Sequence, residues 1–219
     1  MKPKAILFDA YGTLFDVNSA AEKCKNKIGS KWENFANFWR TTQLEYTWLR
    51  SLMKRHKDFW QVTEDSLDKS MHEYSIDVSM RDELLNLYKV LSTFPEVREV
   101  LKKLKEKNYK LAILSNGTPS LLNELVKSNN LVNIFNDIFS IEEVGIYKPA
   151  SKVYDIPIKK YKVQKKEVIF LSANTWDVSG GGNYGYNSIW VNRSNNTFDK
   201  LDYKPKYQVK SLNEILDLI

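Results

Sequence analysis

The chain has 219 residues, 42% of them hydrophobic, which is enough for one sizeable core and a smaller appended domain. Its single cysteine, Cys24, excludes an internal disulfide framework and cannot form a metal site by itself. No apolar run approaches the roughly 18 residues that a membrane span needs, and Asp9 interrupts the only early apolar run. We therefore expect a soluble, cytoplasmic protein with no signal peptide and no membrane partner.

The formal net charge of the chain is +6, and its lysines are spread along the whole sequence. A basic surface can attract nucleic acid or steer small anions. The sequence contains no recognition-helix motif, no zinc-ligand spacing and no aromatic signature of RNA-binding domains, so we predict no nucleic-acid partner. Nucleic-acid binding by the basic face stays open as an alternative, and binding to a polyanion that falls steeply with salt would support it.

The N-terminal stretch KAILFDAYGTLFD, residues 4–16, combines a buried strand with a carboxylate. Residues 5–8 are a continuous apolar run, the pattern of a strand buried on both faces of a parallel sheet. Asp9 follows at the predicted end of the strand, where open α/β sheets place their ligands. Gly12 then permits a tight turn, and Thr13 offers a hydroxyl beside it. The alternative is a turn or helix-capping Asp, but packing does not require a carboxylate here, and a desolvated one costs stability.

The next part of the sequence predicts helices and no strand, with helices over 19–28, 32–56, 63–74 and 79–91. The second of these helices carries apolar side chains at steps of three and four, which give it one largely apolar face. We therefore predict a helical cap domain over residues 16–92, inserted after the first strand. Its short connections should make the helices antiparallel neighbours.

Arg40 lies in the aromatic-rich helix of this segment. Its side chain can extend to solvent or pair with Glu45, and the spacing alone does not separate this role from binding an anion over the Asp9 end of the sheet. Phe59, farther along the segment, is by itself typical of a core residue.

Strand and helix patterns alternate from residue 93 onward. Helices are predicted over 95–107, 119–128, from about 150, and over 211–218, where Ser211 and Glu214 form a capping box. Pro157 should kink the third of these helices or stop it early. Short apolar strands are predicted at 110–114, 138–140, 168–171 and 188–191. The glycine run at 180–182 should let backbone or a ligand come close.

This alternation predicts an α/β fold: a doubly wound, mostly parallel, Rossmann-like sheet with helices on both faces, formed by residues 1–15 and 93–219. Three of its strands are followed by polar groups, namely Asp9, Ser115-Asn116 and the stretch 172–177, and Lys148 adds a cation. Because the carboxyl ends of parallel strands meet at one edge of a sheet, we expect these groups to form one site.

These residues resemble the motifs of the haloacid dehalogenase superfamily: an Asp near the N-terminus, then Ser or Thr, then Lys, then a late acidic motif. The segments DAYGTLFD, WRTTQLEYTWLRSLM, LAILSNG, YKP, VY and SANTWD look like those of the L-2-haloacid dehalogenases within it. The resemblance covers essentially the whole chain, including the helical segment. It implies hydrolysis of an L-2-haloalkanoic acid to the D-2-hydroxy acid, with inversion at C2 and an ester intermediate on Asp9.

The resemblance also implies roles in the first step. Asp9 would attack C2 and expel halide, while Thr13 and Lys148 would orient Asp9 and keep it ionised. Arg40 would stabilise the departing halide, and both Arg40 and Lys148 would contact the substrate. The other groups around the substrate would be Ser115 and Asn116 at its carboxylate and an apolar wall of Tyr11, Leu44, Phe59 and Trp176.

In the second step of the implied mechanism, Asp177 would activate water for attack on the ester, helped by Ser172 and Asn174. Tyr154 would hold the Lys148 region. One departure from the family is Thr41, which stands beside Arg40 where Gln is typical. The expected partners are the haloacid anion, halide and, as in many relatives, a second copy of the chain in a homodimer.

The main alternative is a phosphatase or phosphotransferase of the same superfamily acting on a small phosphate ester. Its magnesium phosphatases carry a second Asp two residues after the nucleophile and a metal carboxylate at the start of the last motif. Tyr11 and Ser172 stand at these places. Tyr, with a pKa near about 10, is a poor general acid at neutral pH, and Mg²⁺ usually needs one or two carboxylates. We therefore predict no metal and no cofactor, although Asp177 remains as a late carboxylate.

A second alternative is a binding or regulatory protein that kept the fold and lost turnover. The intact Asp9, Lys148 and Asp177 argue against it. The resemblance therefore favours an enzyme.

Overall fold

The computed structural model describes residues 3–219, and a six-stranded, all-parallel sheet forms its centre. The strands lie in the order β3-β2-β1-β4-β5-β6. In chain order they are β1 (Ala5–Phe8), β2 (Leu111–Ser115), β3 (Asp137–Ser140), β4 (Val168–Ser172), β5 (Asn187–Val191) and β6 (Tyr207–Val209). The predicted parallel α/β sheet is confirmed.

The strand β1 lies between β2 and β4, and all three are buried along their whole length. This burial on both faces explains why their sequences are continuous apolar runs. The strand order reverses at β1, because the chain passes to β2 and β3 on one side and to β4, β5 and β6 on the other. Open α/β sheets bind ligands at such a switch point, beyond the carboxyl ends of the strands.

Nine α-helices are present within residues 3–219. They are α1 (Ser19–Lys23), α2 (Lys25–Ile28), α3 (Trp32–Leu52), α4 (Phe59–Glu73), α5 (Arg81–Tyr88), α6 (Val97–Glu106), α7 (Pro119–Ser128), α8 (Ser151–Tyr161) and α9 (Thr175–Tyr184). Short 3-10 helices add single turns, among them Ile141–Glu143 after β3 and Leu212–Asp217 near the end of the chain. None of the helices in this described range is both long and apolar enough to cross a membrane.

The helices α1 to α5 form one helical segment between β1 and α6, and they pack on one another. The antiparallel pair α3 and α4 is joined through Trp39, whose indole N–H donates to the Thr63 carbonyl at 3.2 Å. The α4 helix begins behind Asp58, whose side chain accepts from the Gln61 N–H at 2.8 Å and so caps the helix.

Several predicted element boundaries are wrong. The predicted helix 19–28 is broken into two at Cys24, and the long helix ends at Leu52 rather than at residue 56. The α4 helix begins four residues earlier than predicted because Asp58 supplies its cap. The predicted terminal helix 211–218 is a 3-10 helix over 212–217, although its capping box is confirmed.

At two further elements the structure goes beyond the sequence-based expectation. Of the two outcomes expected at Pro157, a kink or an early stop, the early stop is wrong. The α8 helix does not stop at Pro157 but continues to Tyr161, with Val153, Tyr154 and Ile156 buried around the proline. Tertiary burial here outweighs the lost hydrogen bond. The strand β6 was not predicted at all, because its three residues stand among lysines and two of them are exposed.

Candidate active site

The carboxylate of Asp9 lies directly beyond β1 and is 5% exposed. Its Oδ2 accepts from the Thr13 hydroxyl at 3.0 Å, the Asn174 amide at 2.9 Å and the Ser172 hydroxyl at 3.4 Å. Its Oδ1 accepts from the Lys148 ammonium at 3.1 Å. Four side-chain donors therefore converge on the two oxygens of one buried carboxylate.

The Lys148 ammonium joins Asp9 to a second carboxylate. Its Nζ also lies 2.9 Å from Asp177 Oδ2, and Tyr154 donates its hydroxyl to Asp177 Oδ1 at 2.6 Å. Burial alone lowers the pKa of Lys148, but the charges of Asp177 and Asp9 outweigh it and raise that pKa above its ordinary value. Burial raises the pKa of Asp177 to about 6, against the opposing effect of Lys148. Near neutral pH Asp177 is therefore ionised and Lys148 is protonated.

The turns after β1, β2 and β4 and the loop that carries Lys148 bring these groups into contact. Gly12 has a φ of +87°, which allows the turn after β1 to fold back so that Thr13 reaches Asp9. The Thr13 hydroxyl also accepts from the Ala173 N–H at 2.8 Å, which connects the turns after β1 and β4. The backbone N–H of Lys148 donates to the Asn116 side-chain oxygen at 3.1 Å, which connects the turn after β2 to the lysine loop.

Ser115 and Asn116 end β2 beside this cluster, and both are buried. The Ser115 hydroxyl oxygen accepts from the Gly117 N–H at 3.1 Å, so its own proton stays available to another acceptor. The structure therefore places both residues as predicted, at the same edge of the sheet as Asp9.

An aromatic wall closes one side of the site. The Tyr11 ring lies 5.0 Å from Phe59 and 5.8 Å from Tyr88, measured between ring centroids. The Tyr11 hydroxyl is buried and has no hydrogen-bond partner within residues 3–219, and burial raises its pKa well above the ordinary value. A Cβ on Gly117 would lie 2.9 Å from this hydroxyl, so Tyr11 covers the turn after β2. Phe59 is fully buried, as is typical of a core residue, and its ring also forms part of this wall.

The cation Arg40 on α3 reaches this wall. Its Nη2 donates to the Tyr11 carbonyl at 3.4 Å and its Nη1 to the Gln43 side chain at 2.9 Å, and it makes no pair with Glu45. Gln43 is held in turn by donation to Thr63 at 2.7 Å. Arg40 is half-buried and leans toward the Asp9 turn, as one of the two sequence-based interpretations predicted.

The remaining predicted wall residues are half-buried. Leu44 follows Arg40 by four residues and so lies on the same face of α3. Trp176, in the first turn of α9, packs edge-on against Trp48 with 5.4 Å between ring centroids. Thr41, the departure beside Arg40, is exposed and does not contact Arg40 through any hydrogen bond.

Tyr154 reaches the Lys148 region through Asp177. Its hydroxyl binds the Asp177 carboxylate, which in turn pairs with Lys148. Tyr88, Trp48 and the Ala173 N–H belong to the wall and its supports but were not predicted. Tyr88 and Trp48 carry no sequence signal that separates them from ordinary core aromatics.

The donors present do not suit a Mg²⁺ ion. Ser172 replaces the carboxylate that such an ion would take, and no group of three or more His, Cys, Asp or Glu side chains comes together in the described part of the chain. The positive charge between Asp9 and Asp177 is supplied by Lys148.

A parallel sheet with a nucleophile-like carboxylate after its first strand and a buried lysine beside it defines a haloacid dehalogenase-like hydrolase. The model of that family matches residues 3–185, and the chain belongs to it. Within the family it is similar to the (S)-2-haloacid dehalogenases, also called L-2-haloacid dehalogenases. It is 37% identical to (S)-2-haloacid dehalogenase 4A of Burkholderia cepacia over 219 residues, 99% of this chain and 94% of that protein.

Solved structures agree with this similarity. A dehalogenase crystal structure superposes with a TM-score of 0.97 at 37% identity, covering 99% of this chain and 97% of the other. The L-2-haloacid dehalogenase of Xanthobacter autotrophicus with chloropropionic acid covalently bound has a TM-score of 0.92 at 30% identity, covering 100% of this chain and 98% of the other. The family predicted from the sequence motifs is confirmed.

Proposed function

We propose that this chain is an (S)-2-haloacid dehalogenase, which hydrolyses L-2-haloalkanoic acids to D-2-hydroxy acids through an ester on Asp9. The observation that carries this proposal is the unequal division of donors between the two oxygens of Asp9. Three side chains donate to Oδ2, whereas Lys148 alone donates to Oδ1 within residues 3–219. The three donors on Oδ2 can stabilise negative charge on that oxygen, whereas Oδ1, with one donor, is the oxygen that attacks the substrate.

In the first step, Asp9 Oδ1 attacks C2 of the haloacid. The C2–O bond forms as the carbon–halogen bond breaks, and halide leaves with the bonding electron pair, which inverts C2. Lys148 keeps Asp9 ionised before the attack. Arg40 supplies the positive charge for the departing halide, and Ser115 and Asn116 bind the substrate carboxylate.

In the second step, water attacks the ester carbonyl carbon of Asp9. Oδ2 is then the carbonyl oxygen, and the donors Thr13, Asn174 and Ser172 stabilise the negative charge that develops on it. Asp177 accepts a proton from the water and passes it to the departing oxygen of the hydroxy acid. The second water proton goes to solvent as the Asp9 carboxylate re-forms, so each turnover yields one halide and one proton.

The phosphatase alternative needs a general acid at residue 11, and Tyr11 is poorly suited to this role. Its hydroxyl is buried among Phe59 and Tyr88, and its pKa is raised well above the ordinary value. The leaving group of a haloacid is a halide, which needs no proton in the first step, unlike the oxyanion that leaves from a phosphate ester. The wall of aromatic rings therefore suits a carbon–halogen bond better than a phosphate ester.

We also propose the division of labour within the chain. Residues 16–92 act as a helical cap that brings Arg40, Leu44 and Phe59 over the site, and residues 1–15 and 93–219 form the catalytic core. The contacts of Arg40 with the Tyr11 carbonyl support this arrangement, since they join α3 to the turn after β1.

We propose further that the protein is a cytoplasmic homodimer. At the end of α3, the apolar side chains of Leu49, Leu52 and Met53 are exposed, by 79% in the case of Leu52. A contiguous apolar surface of this kind is typical of an interface between copies. Light scattering after gel filtration should give twice the chain mass, and Leu52→Lys with Met53→Lys should give a monomer. A monomeric wild type would contradict the dimer.

The proposed reaction is tested by halide release from L- and D-2-chloropropionate with a chelator present. We expect release from the L-form only, unaffected by the chelator. Asp9→Asn should lower the rate by at least about 1000-fold, because the nucleophile is lost. Asp82→Asn is the matched control, since the Asp82 side chain is 91% exposed on α5.

A single turnover in ¹⁸O-labelled water should place the label in the peptide that contains Asp9 before it appears in the product. Label in the hydroxy acid alone would mean direct attack by water on C2. Magnesium-dependent hydrolysis of a phosphate ester, with no halide released from either enantiomer, would assign the chain to the phosphatase branch.

A further inference from the structure

Arg193, in the loop after β5, lies outside every motif identified in the sequence. Its Nη2 donates to the Thr13 carbonyl at 2.8 Å, and its Nη1 lies 2.5 Å from Glu96 Oε1. The guanidinium carbon lies 3.8 Å from the centroid of the Phe94 ring, over its face. We call Arg193, Glu96, Phe94 and Thr13 the hinge arginine cluster.

The partners of Arg193 belong to the two chain segments that connect the sheet to the helices α1 to α5. Thr13 lies on the outgoing segment, and Phe94 and Glu96 lie on the returning one. The two segments also bond to each other, since the Asp16 N–H donates to the Ser92 carbonyl at 2.8 Å and the Phe94 N–H to the Leu14 carbonyl at 3.1 Å. Arg193 thus holds both segments where they run side by side.

The ion pair within the cluster is mostly shielded from water. The side chains of Arg193 and Glu96 are 15% and 12% exposed. Burial alone raises the pKa of Glu96, but the hydrogen bond and the charge of Arg193 outweigh it and hold that pKa below its ordinary value. Glu96 also accepts from the Leu212 N–H at 3.3 Å, which connects the pair to the C-terminal turn.

Thr13 connects this cluster to the reaction. Arg193 holds its carbonyl, the Ala173 N–H donates to its hydroxyl oxygen at 2.8 Å, and that hydroxyl donates to Asp9 Oδ2 at 3.0 Å. With both ends fixed, the hydroxyl has one orientation, toward the oxygen that becomes the ester carbonyl. We propose that Arg193 is a positioning residue, which sets the Thr13 hydroxyl on Asp9 and so accelerates the proposed dehalogenation.

An arginine is required here because its planar guanidinium donates in two directions at once and stacks on a ring. Lysine keeps the charge but offers a point ammonium, so it cannot keep the Thr13 and Glu96 contacts in the same geometry. Arg193→Lys is therefore the informative variant. Arg81→Lys is the matched control, since Arg81 forms an ion pair with Asp68 on the surface of the helical segment.

The test is a mutant cycle on halide release from L-2-chloropropionate. Arg193→Lys should lower kcat by about 10- to 100-fold with KM changed less than about 2-fold, because a misplaced positioning group costs rate rather than binding. In a Thr13→Val background, the same substitution should lower kcat by less than about 2-fold, since the hydroxyl that Arg193 positions is gone. Arg81→Lys should leave both constants unchanged.

A merely structural role predicts a different result. Arg193→Lys would then lower kcat by the same factor in both backgrounds, or would lower only the melting temperature, and either outcome overturns the proposal. Should Arg193→Lys fail to fold, Glu96→Gln, which keeps the shape of the pair, should show the same dependence on Thr13 with a fall of about 3-fold. The inference rests on the proposed function: a wild type that releases no halide overturns both, whereas an active wild type with a normal Arg193→Lys variant overturns this inference alone.

Discussion

At the scale of single residues, the site is organised by the sharing of Lys148 between two carboxylates. Lys148, Asp9 and Asp177 are at most 5% exposed, so their charges interact with little screening by water. Two carboxylates and one ammonium leave one negative charge, and a haloacid anion adds another. In the proposed reaction, the half-buried Arg40 would compensate for this excess, which gives the helical segment a reason to bring a cation to the site.

The acid limb of the pH profile of kcat should be set by the ionisation of the Asp177 carboxylate. A base acts only when it has lost its proton, so ester hydrolysis should rise with pH through the raised pKa of Asp177, about 6. The Tyr154 hydroxyl lowers this pKa by bonding to the charged form. Tyr154→Phe should therefore move the limb to higher pH and lower kcat by about 10-fold, as measured from the pH profile of kcat.

Tyr161→Phe is the matched control for this change, because the Tyr161 hydroxyl donates to Asp137 at 2.7 Å on β3, away from the reacting groups. It should leave the profile unchanged. In Tyr154→Phe, mass spectrometry should also detect more of the Asp9 ester, since only the second step is slowed. A profile that keeps its acid limb would remove Tyr154 from the mechanism.

The residues of the site differ in how far the sequence predicts them. Asp9, Lys148 and Asp177 follow strand patterns and family motifs, so their proximity could be expected from the rule that strand ends share an edge. The partner of Tyr154 could not, because it depends on how α8 packs against α9. The role of Arg193 could not be predicted either, because its partner Thr13 lies 180 residues away in the sequence.

At the scale of elements, the helix α9 shows packing that overrides local preference. Three successive glycines each cost about 1 kcal/mol relative to Ala in a helix, and the sequence predicted only that backbone or a ligand comes close at 180–182. The helix forms because the glycines allow close approach. A Cβ on Gly180 would lie 2.6 Å from Pro149 Cβ and collide with the Tyr154 hydroxyl, and one on Gly181 would lie 2.7 Å from the Phe170 ring.

Gly180→Ala should therefore destabilise the protein in spite of its better helix propensity. The steric overlap costs about 1–3 kcal/mol in the free energy of unfolding, whereas the better helix propensity of Ala contributes about 1 kcal/mol. The overlap also displaces the Tyr154 hydroxyl from Asp177. We expect a melting temperature lower by about 2–6 °C and a pH profile shifted as in Tyr154→Phe. Asn183→Ala, at an exposed position of the same helix, is the control and should keep both. A more stable Gly180→Ala would show that α8 and α9 can separate freely.

At the scale of the whole molecule, the helical segment contacts the lysine loop as well as the Asp9 turn. His56, after α3, lies 2.9 Å from Glu142 Oε2 after β3. Tyr147, next to Lys148, donates its hydroxyl to the Lys57 carbonyl at 2.6 Å and its backbone N–H to the Ser51 hydroxyl at 3.2 Å. The sequence predicted the order of these units along the chain, but such contacts between units have no local pattern.

Glu142→Gln should loosen this connection. The pair is about a quarter exposed on each side, so the loss of charge should cost no more than about 1 kcal/mol in the free energy of unfolding, measured with urea. We expect KM for L-2-chloropropionate to rise by about 2- to 5-fold, because the helical segment is held less firmly over the site. Glu143→Gln, at the exposed neighbouring position, should change neither. Equal effects of the two variants on KM would show that the net charge of this region, and not the contact between His56 and Glu142, is responsible.

The complete burial of Lys148 has a consequence for labelling kinetics. An amine-reactive reagent modifies surface lysines as fast as it collides with them, but it can reach a side chain that is 0% exposed only when the protein opens. The two carboxylates also hold Lys148 protonated, and a protonated amine does not react. The rate at which a reagent modifies Lys148 therefore measures how often the site opens. A bound haloacid that keeps the site closed should lower this rate.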